Sequence, residues 1–185
     1  MAQFTQMAIR QTFLLLLEQT PLDKITVKMI VDACGISRNT FYYHYEDIPA
    51  LLRDVLETEL TRVCGTDGDG QSSPQRLQQL LSYVAAHRMV FDRIFHSEYR
   101  QQLERRLTLS TRAIALDNIR ACGGGALDAG QQEAIAVFFS SGVLGLCRQW
   151  LADGASVPPE VLLQRLSLFE GLLETTVKRA LKLGT

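Results

Sequence analysis

The chain has 185 residues, of which 46% are hydrophobic and 21% are charged, and this composition is typical of a soluble globular protein that can bury one or two cores. Its net charge of −1 provides no bulk attraction for a polyanion, and residues 1–63 carry six Lys/Arg against eight Asp/Glu. Any contact with nucleic acid must therefore depend on a local arrangement of side chains.

Several other classes of protein are disfavoured by what the sequence lacks. The four cysteines are widely spaced without a zinc pattern, so we expect reduced thiols in a cytoplasmic protein. No signal-peptide pattern is present, and the longest uncharged apolar stretch, 134–147, is shorter than the about 20 residues of a membrane span. No catalytic motif is found. The sequence predicts a non-enzyme without metal, cofactor or membrane partner.

Three helices are expected near the N-terminus. Apolar residues at helical spacing predict the first over residues 4–19, and a following proline ends it. Thr26 is the expected N-cap of the second, "VKMIVDAC", in which Ile30 and Ala33 face inward. Gly35 is expected to end that helix in a left-handed backbone conformation. Glycine adopts this conformation at little cost in free energy because it has no β-carbon.

The stretch "GISRNTFYYHY" predicts the turn and second helix of a helix-turn-helix. Ser37 is the expected N-cap of this third helix, so its first turn presents free N–H groups and the positive end of the helix dipole. Arg38 and Asn39 lie on that turn, and their side chains suit guanine and adenine edges in a DNA major groove. The alternative is a plain helical hairpin whose tyrosines pack.

Helical phase divides the rings of this stretch into two groups. Phe41 and Tyr45 are four residues apart and are expected in the core with Ile36. The other rings face elsewhere, where their hydroxyl and imidazole groups can hydrogen-bond phosphate. These rings belong to Tyr42, Tyr43 and His44.

Three side chains at the start of the second helix are placed to contact the DNA backbone, namely Lys24, Thr26 and Lys28. Between residues 24 and 44 three basic residues stand against one acidic residue. The local charge is therefore +2 within a segment that is acidic as a whole.

The order "ITVKMIVDACGISRNTFYYHYEDIPALL" resembles the N-terminal signature of TetR/AcrR-type transcriptional regulators, most of all the branch that includes regulators of dihydroxyacetone kinase. The resemblance covers about residues 9–52. It implies an all-α fold, with an N-terminal three-helix helix-turn-helix domain and a helical C-terminal domain for ligand binding and dimerisation. The partner that it implies is double-stranded operator DNA. The DNA-facing set that it implies is Thr26, Lys28, Ser37, Arg38, Asn39, Thr40, Tyr42, Tyr43 and His44.

One position departs from the family pattern. Family members commonly have a lysine near the start of the fourth helix that touches phosphate, whereas this chain has "EDI" there, with Ile48 in that place. Asp47 is the expected N-cap of this helix, which runs to about Val63. We expect the phosphate contact to be weaker, or to come from Lys24 and Lys28.

The rest of the sequence predicts a linker and a second helical domain. "CGTDGDGQSSP" is polar and glycine-rich, which is typical of a flexible connection. Further helices are expected at about 75–86, 88–95, 97–121, 129–153 and 158–183. The predicted division is a helix-turn-helix domain (1–48), a connecting helix (49–63), a linker (64–75) and an effector-binding and dimerisation domain (76–185).

Two features of the second domain suggest a homodimer. In "FFSSGVLGLCRQW", small residues such as Gly142 and Gly145 allow close helix approach, although they serve packing within one chain equally well. The last helix has an apolar stripe too broad for one packing face, and its expected interface residues are Leu166, Phe169, Leu173 and Val177. A helix-turn-helix that reads palindromic DNA also needs a dimer.

An effector pocket is a further expectation for this domain. Candidate lining residues are Tyr83, His87, Phe91, Phe95, Tyr99, Arg112, Phe138 and Trp150. Aromatic residues at helical spacing belong more often to plain core, and the two cationic candidates are equally compatible with exposed positions. Balanced charge after residue 63 gives no sign of a charged ligand.

These patterns together predict a DNA-binding transcriptional regulator, a repressor released by a small-molecule effector. Two alternatives remain open. One is a regulator controlled by a protein partner. The other is a helical protein-interaction adaptor, which would explain the acidic balance but would leave "SRNTFYYH" without a purpose.

Overall fold

The computed structural model describes residues 2–64, 72–154, 156–169 and 171–183, and every regular element within them is helical, which confirms the all-α prediction. Two 3-10 turns, Leu22–Lys24 and Gly124–Ala126, accompany the α-helices. The α-helices of the described residues are α1 (Ala2–Gln19), α2 (Val27–Cys34), α3 (Arg38–His44), α4 (Ile48–Cys64), α5 (Ser73–Ala86), α6 (Arg88–Phe95), α7 (Arg100–Ala121), α8 (Ala129–Ala152), α9 (Pro159–Ser167) and α10 (Leu172–Leu183).

The chain divides into two compact units, one of residues 1–59 with 87–103 and one of residues 60–86 with 104–185. This differs from the predicted division, which places 87–103 in the C-terminal domain. The reason is that α6 packs against α1, where the Arg93 guanidinium donates a 2.6 Å hydrogen bond to the Leu17 carbonyl. Residues 65–71 of the predicted linker lie outside the described residues.

The core of the first unit forms around one face of α1. Ile9, Phe13 and Leu17 recur every four residues and are completely buried, as helical periodicity requires. From α2, Ile30 is buried as expected, but the expectation for Ala33 was wrong, because Ala33 is exposed and Val31 is buried in its place. Burial of the larger valine side chain removes more apolar surface from water.

The second unit is a helical assembly with its own core. Its central cluster combines residues of α7, α8 and α10 with Leu127 of the α7–α8 connection, and the helical members are Ala115, Ile119, Ile135, Ala136, Leu173 and Val177. Asp128 caps α8 through a hydrogen bond from the N–H of Gln131 at 2.8 Å, and Gln131 Oε1 accepts a bond from the N–H of Asp128 at 3.2 Å. An ion pair between the buried Arg76 and the partly buried Asp117 joins α5 to α7, with Arg76 Nη2 2.6 Å from Asp117 Oδ2.

The single helix predicted over 158–183 is a pair of helices. Between α9 and α10 the chain turns at Gly171, whose φ of 77° is left-handed. The apolar stripe predicted for one long helix is therefore divided between α9 and α10. Leu173 and Val177 are buried in the core of their own chain, whereas Phe169 is exposed.

One described helix, α8, is long and apolar enough to cross a membrane by length and composition alone. A third of its most apolar window is buried within the chain. Core helices of globular proteins pass the same test, so this property alone is weak evidence of a membrane span. The exposed part of α8 includes the apolar side chains of Val137 and Phe138.

Candidate nucleic-acid interface and internal cavity

Local capping bonds fix the geometry of α2 and α3. Thr26 Oγ1 accepts a hydrogen bond from the N–H of Met29 at 3.3 Å, and Ser37 Oγ accepts one from the N–H of Thr40 at 3.0 Å. Between the helices Gly35 is left-handed, with φ 67°. The turn and both caps occur where the sequence predicted them.

The rings of α3 separate as their helical phase predicts. Phe41 and Tyr45 are buried, whereas Tyr42 is 55% and Tyr43 is 80% exposed. The Phe41 ring holds Tyr42 edge-on at 5.5 Å between centroids, and Tyr43 stands edge-on to His44 at 5.1 Å. Two tyrosine hydroxyls are thus presented to solvent by a helix whose other side is anchored in the core.

The structure places most of the predicted DNA-facing side chains on the surface of the first unit. The exposed members are Lys24, Thr26, Lys28, Ser37, Arg38, Asn39, Tyr42 and Tyr43. Thr40 and His44 are half-buried, and the Thr40 hydroxyl lies 2.9 Å from that of Ser37. Lys24 Nζ lies 3.3 Å from Asp23 Oδ2, so part of its charge is already compensated.

A polar cluster centred on Asp54 fixes the end of α3. The Tyr45 hydroxyl donates a 2.5 Å hydrogen bond to Asp54 Oδ2, and Arg10 Nη1 donates to the same oxygen at 3.1 Å. Desolvation by burial, and then the bond to Asp54, raise the pKa of the Tyr45 phenol. The sequence analysis missed this cluster, because its members come from three helices and no short motif joins them.

At the start of α4 the structure shows the departure that the sequence predicted. Asp47 Oδ1 accepts a 2.7 Å hydrogen bond from the N–H of Ala50, so this side chain serves as the cap. Glu46 is exposed, and Ile48 occupies the first position of the helix. The carboxylates of Glu46 and Asp47 therefore lie just before the position at which family members commonly have a phosphate-contacting lysine.

A cavity of about 620 Å³ lies within the second unit, among α5, α7, α8, α9 and α10. Its wall is mainly apolar, with Leu81, Ile114, Phe139, Val143 and Leu163 among the lining residues. No Lys, Arg or His side chain of the described residues lines it. The volume is within the range of about 300–1,000 Å³ that is usual for small-ligand sites.

None of the eight predicted pocket residues lines this cavity. Phe91 and Phe95 are buried in the first unit and Trp150 in the second, while Phe138 is exposed. The remaining four also lie outside the cavity. In the second unit, Arg112 pairs with Glu133, and the Arg62 guanidinium lies over the Tyr83 ring. In the first unit, His87 Nδ1 lies 3.6 Å from Glu18, and Tyr99 belongs to the same unit. The cavity is lined instead by aliphatic and polar residues and by two other rings, Phe139 and Phe169, and none of them carries a distinctive sequence signal.

Two family models match the chain in its two parts. Residues 14–55 match the model for bacterial regulatory proteins of the tetR family, and residues 71–169, more than half of the chain, match a transcriptional regulator C-terminal region of that family. The chain belongs to the TetR family. It is therefore a TetR-family transcriptional regulator with a DNA-binding helix-turn-helix formed by α2 and α3.

Solved structures of other TetR-family regulators share this fold. The dihydroxyacetone kinase operon activator DhaS has a TM-score of 0.76 at 19% identity over 95% of this chain and 97% of that chain. NalD of Pseudomonas aeruginosa, the secondary repressor of the MexAB-OprM multidrug efflux pump, has a TM-score of 0.57 at 17% identity over 90% and 93%. A regulator from Rhodococcus sp. has a TM-score of 0.60 at 20% identity over 95% and 97%. No curated protein matches by sequence.

Proposed function

We propose that this TetR-family chain is a repressor that occupies operator DNA as a homodimer through the exposed face of α3, and that a small molecule bound in the second unit releases it. The observation that carries the proposal is the presentation of Tyr43, Arg38 and Asn39 on a helix whose caps and core ring hold it in place.

The surface of α3 has the chemistry for major-groove recognition. Arg38 suits guanine and Asn39 suits adenine, and each good bidentate pair provides about 1–3 kcal/mol of discrimination. The hydroxyls of Tyr42 and Tyr43 suit phosphate oxygens. Because residues 1–63 are net acidic, these few contacts must provide most of the affinity.

The exposed face of α8 supports a homodimer. Val137 is 45% and Phe138 is 68% exposed, and Ser141, Gly142 and Gly145 continue the same exposed face along the helix. An apolar ring beside a smooth strip of small residues suits close packing against a second copy related by a two-fold axis. A dimer would also match the two-fold symmetry of an operator with two half-sites.

Release by an effector requires two states with different affinity for the ligand. The cavity of the second unit supplies a site of suitable size for such a ligand. A ligand that binds the state with low DNA affinity more tightly shifts the population towards it, and a shift from 1:99 to 99:1 needs about 5.5 kcal/mol of differential binding.

The experiment is an electrophoretic mobility shift with the DNA upstream of the chain's own gene. Arg38→Ala and Tyr43→Ala should each weaken specific binding by about 10- to 100-fold, which corresponds to about 1–3 kcal/mol. Lys182→Ala, which removes an exposed cation from α10, is the matched control for Arg38→Ala and should leave the shift unchanged. Circular dichroism should show that all three variants keep the wild-type helix content.

Wild-type affinity in both α3 variants would refute the assigned surface. Absence of any DNA binding by the wild type at low salt, where phosphate contacts are strongest, would refute operator binding itself and favour a helical adaptor. Tyr43→Phe separates the contribution of the Tyr43 hydroxyl from that of its aromatic ring. It removes only the hydroxyl and should reduce binding less than Tyr43→Ala does.

A further inference from the structure

The cavity of the second unit excludes charged ligands by its composition. Its wall offers no described cationic side chain to pair with an anion. Its one described carboxylate, that of Glu174, already holds Lys178 Nζ at 2.5 Å. An ion that entered would lose hydration without gaining an oppositely charged partner.

Three of the four hydroxyl groups that line the cavity already donate to a carbonyl of their own helix, among them that of Ser167, which donates to Gln164 at 2.8 Å. Thr111 Oγ1 donates to the Leu107 carbonyl at 2.8 Å, and Ser140 Oγ donates to the Val137 carbonyl at 3.2 Å, both within their own helices. These two side chains therefore add little polarity to the wall. They leave it able to pack against the apolar body of a ligand.

Three amide side chains line the cavity, and that of Asn118 on α7 is half-buried, whereas those of Gln78 and Gln164 are exposed. Asn118 Oδ1 accepts a weak hydrogen bond from the Cys122 thiol at 3.4 Å. Among the described residues, none accepts a hydrogen bond from its NH2 group. This amide can therefore donate to a carbonyl, ether or hydroxyl oxygen of a molecule in the cavity.

The thiol that lines the cavity favours reversible binding. Desolvation by burial, and then the carboxylate of Glu174, raise the pKa of Cys122. Since the thiolate is the nucleophilic form, this cysteine remains a protonated and poorly reactive thiol near neutral pH. A covalent adduct with an electrophile is thus disfavoured.

We propose that this cavity binds a neutral, largely apolar small molecule whose single hydrogen-bond acceptor faces Asn118. The identification of that ligand as the effector rests on the proposed function, whereas the binding chemistry does not. The apolar lining provides most of the affinity through burial of the ligand surface, and the amide selects its polar group.

A matched pair of fluorescent probes tests the charge preference. N-phenylnaphthylamine is neutral, and anilinonaphthalene sulfonate has the same two aromatic groups with an added anionic group. In titrations of the wild-type protein, the neutral probe should bind saturably at one site per chain. The sulfonate should bind at least about tenfold more weakly, because its charge would be buried without a partner of opposite charge. Equal or tighter binding of the sulfonate, or no saturable binding of the neutral probe, would overturn the proposal.

Two substitutions that fill the cavity locate the site. Val143→Phe on α8 and Leu163→Phe on α9 add bulk to lining residues that are half-buried, so each should abolish saturable binding of the neutral probe. Leu109→Phe adds the same ring to an exposed position of α7 outside the cavity and should leave binding unchanged. If one of these two variants has a lower thermal midpoint than the wild type, the probe titration of the other variant tests the location of the site. Unchanged binding in a folded filling variant would place the probe elsewhere and contradict the proposal.

Asn118→Leu tests the polar contact. A neutral naphthyl ketone, propionyl-dimethylaminonaphthalene, should bind this variant about 5- to 10-fold more weakly, the usual loss of one hydrogen bond, while N-phenylnaphthylamine should bind it as it binds the wild type. Equal losses for both probes would mean a packing defect and would refute the role of the amide. Operator binding without probe is measured in parallel, so a failure of DNA binding is distinguishable from a failure of the cavity.

Discussion

The Asp54 carboxylate illustrates how single residues position the surface that we propose to face DNA. It accepts hydrogen bonds from Tyr45 at the end of α3 and from Arg10 on α1. The Tyr45 ring is therefore packed in the core, and its hydroxyl is held by the hydrogen bond to Asp54. The exposed side of α3 can then present Tyr43 and Arg38 with little freedom in the backbone beneath them.

Tyr45→Phe should lower the free energy of unfolding by about 1–3 kcal/mol, because it removes one hydrogen bond to a charged group and keeps the buried ring. Urea denaturation followed by circular dichroism measures the change. Tyr43→Phe, two residues earlier on α3, is the matched control, and the exposed hydroxyl that it removes should contribute almost nothing to stability. Equal stability of the two variants would show that the Asp54 bond does not contribute.

The same hydroxyl predicts a pH dependence. The raised pKa of Tyr45 in the folded state means that the unfolded chain loses this proton first, at about pH 10. The free energy of unfolding is therefore unaffected by this group below about pH 10 and falls as the pH rises above it. Tyr45→Phe should reduce that fall relative to wild type in urea titrations at about pH 9 and pH 11. An identical fall in both proteins would contradict this assignment.

At the scale of elements, the turn between α2 and α3 was predictable because its signals are local. Thr26, Gly35 and Ser37 act on their own backbone neighbours, so residue type and spacing determine both caps and the reversal. The break at Gly171 was not predictable in this way. Glycine within a helix costs only about 1 kcal/mol relative to alanine, so the sequence alone does not decide between a continuous helix and a turn.

Gly35→Ala should destabilise the first unit by about 1–2 kcal/mol, the cost of placing a β-carbon in a left-handed conformation. The added carbon would meet no atom within 4 Å, so the backbone alone accounts for the effect. Gly125→Ala is the control, since it also meets open space but has no positive φ. Thermal denaturation should show a lower midpoint for Gly35→Ala only, and equal midpoints would mean that the turn tolerates a side chain.

At the scale of the whole molecule, the existence of most helices was predictable and their partners were not. Helical periodicity identified α6 as residues 88–95, but its packing against α1 depends on tertiary contacts. The same holds for the cavity. The rings expected there, such as Phe91 and Trp150, contribute to the cores instead. The rings that do line the cavity, Phe139 and Phe169, carry no pattern that separates them from core residues.

The proposed dimer makes a prediction for the assembled molecule. Phe138→Glu places a charge in the exposed apolar face of α8 and should shift the protein from dimer to monomer in multi-angle light scattering, because burial of an unpaired charge opposes association. Phe4→Glu is the matched control, since Phe4 is 75% exposed on α1, and it should remain dimeric. A monomeric wild type, or a dimeric Phe138→Glu variant, would refute this interface.

The position of the single tryptophan provides an optical probe of one unit. Trp150 is the only tryptophan of the chain, it is buried in the second unit, and its indole N–H donates a 2.9 Å hydrogen bond to the Val157 carbonyl. Its emission at selective excitation therefore reports the second unit alone, whereas far-ultraviolet circular dichroism reports both. If the two units unfold separately, the two signals have different midpoints, and coincident curves indicate one cooperative transition.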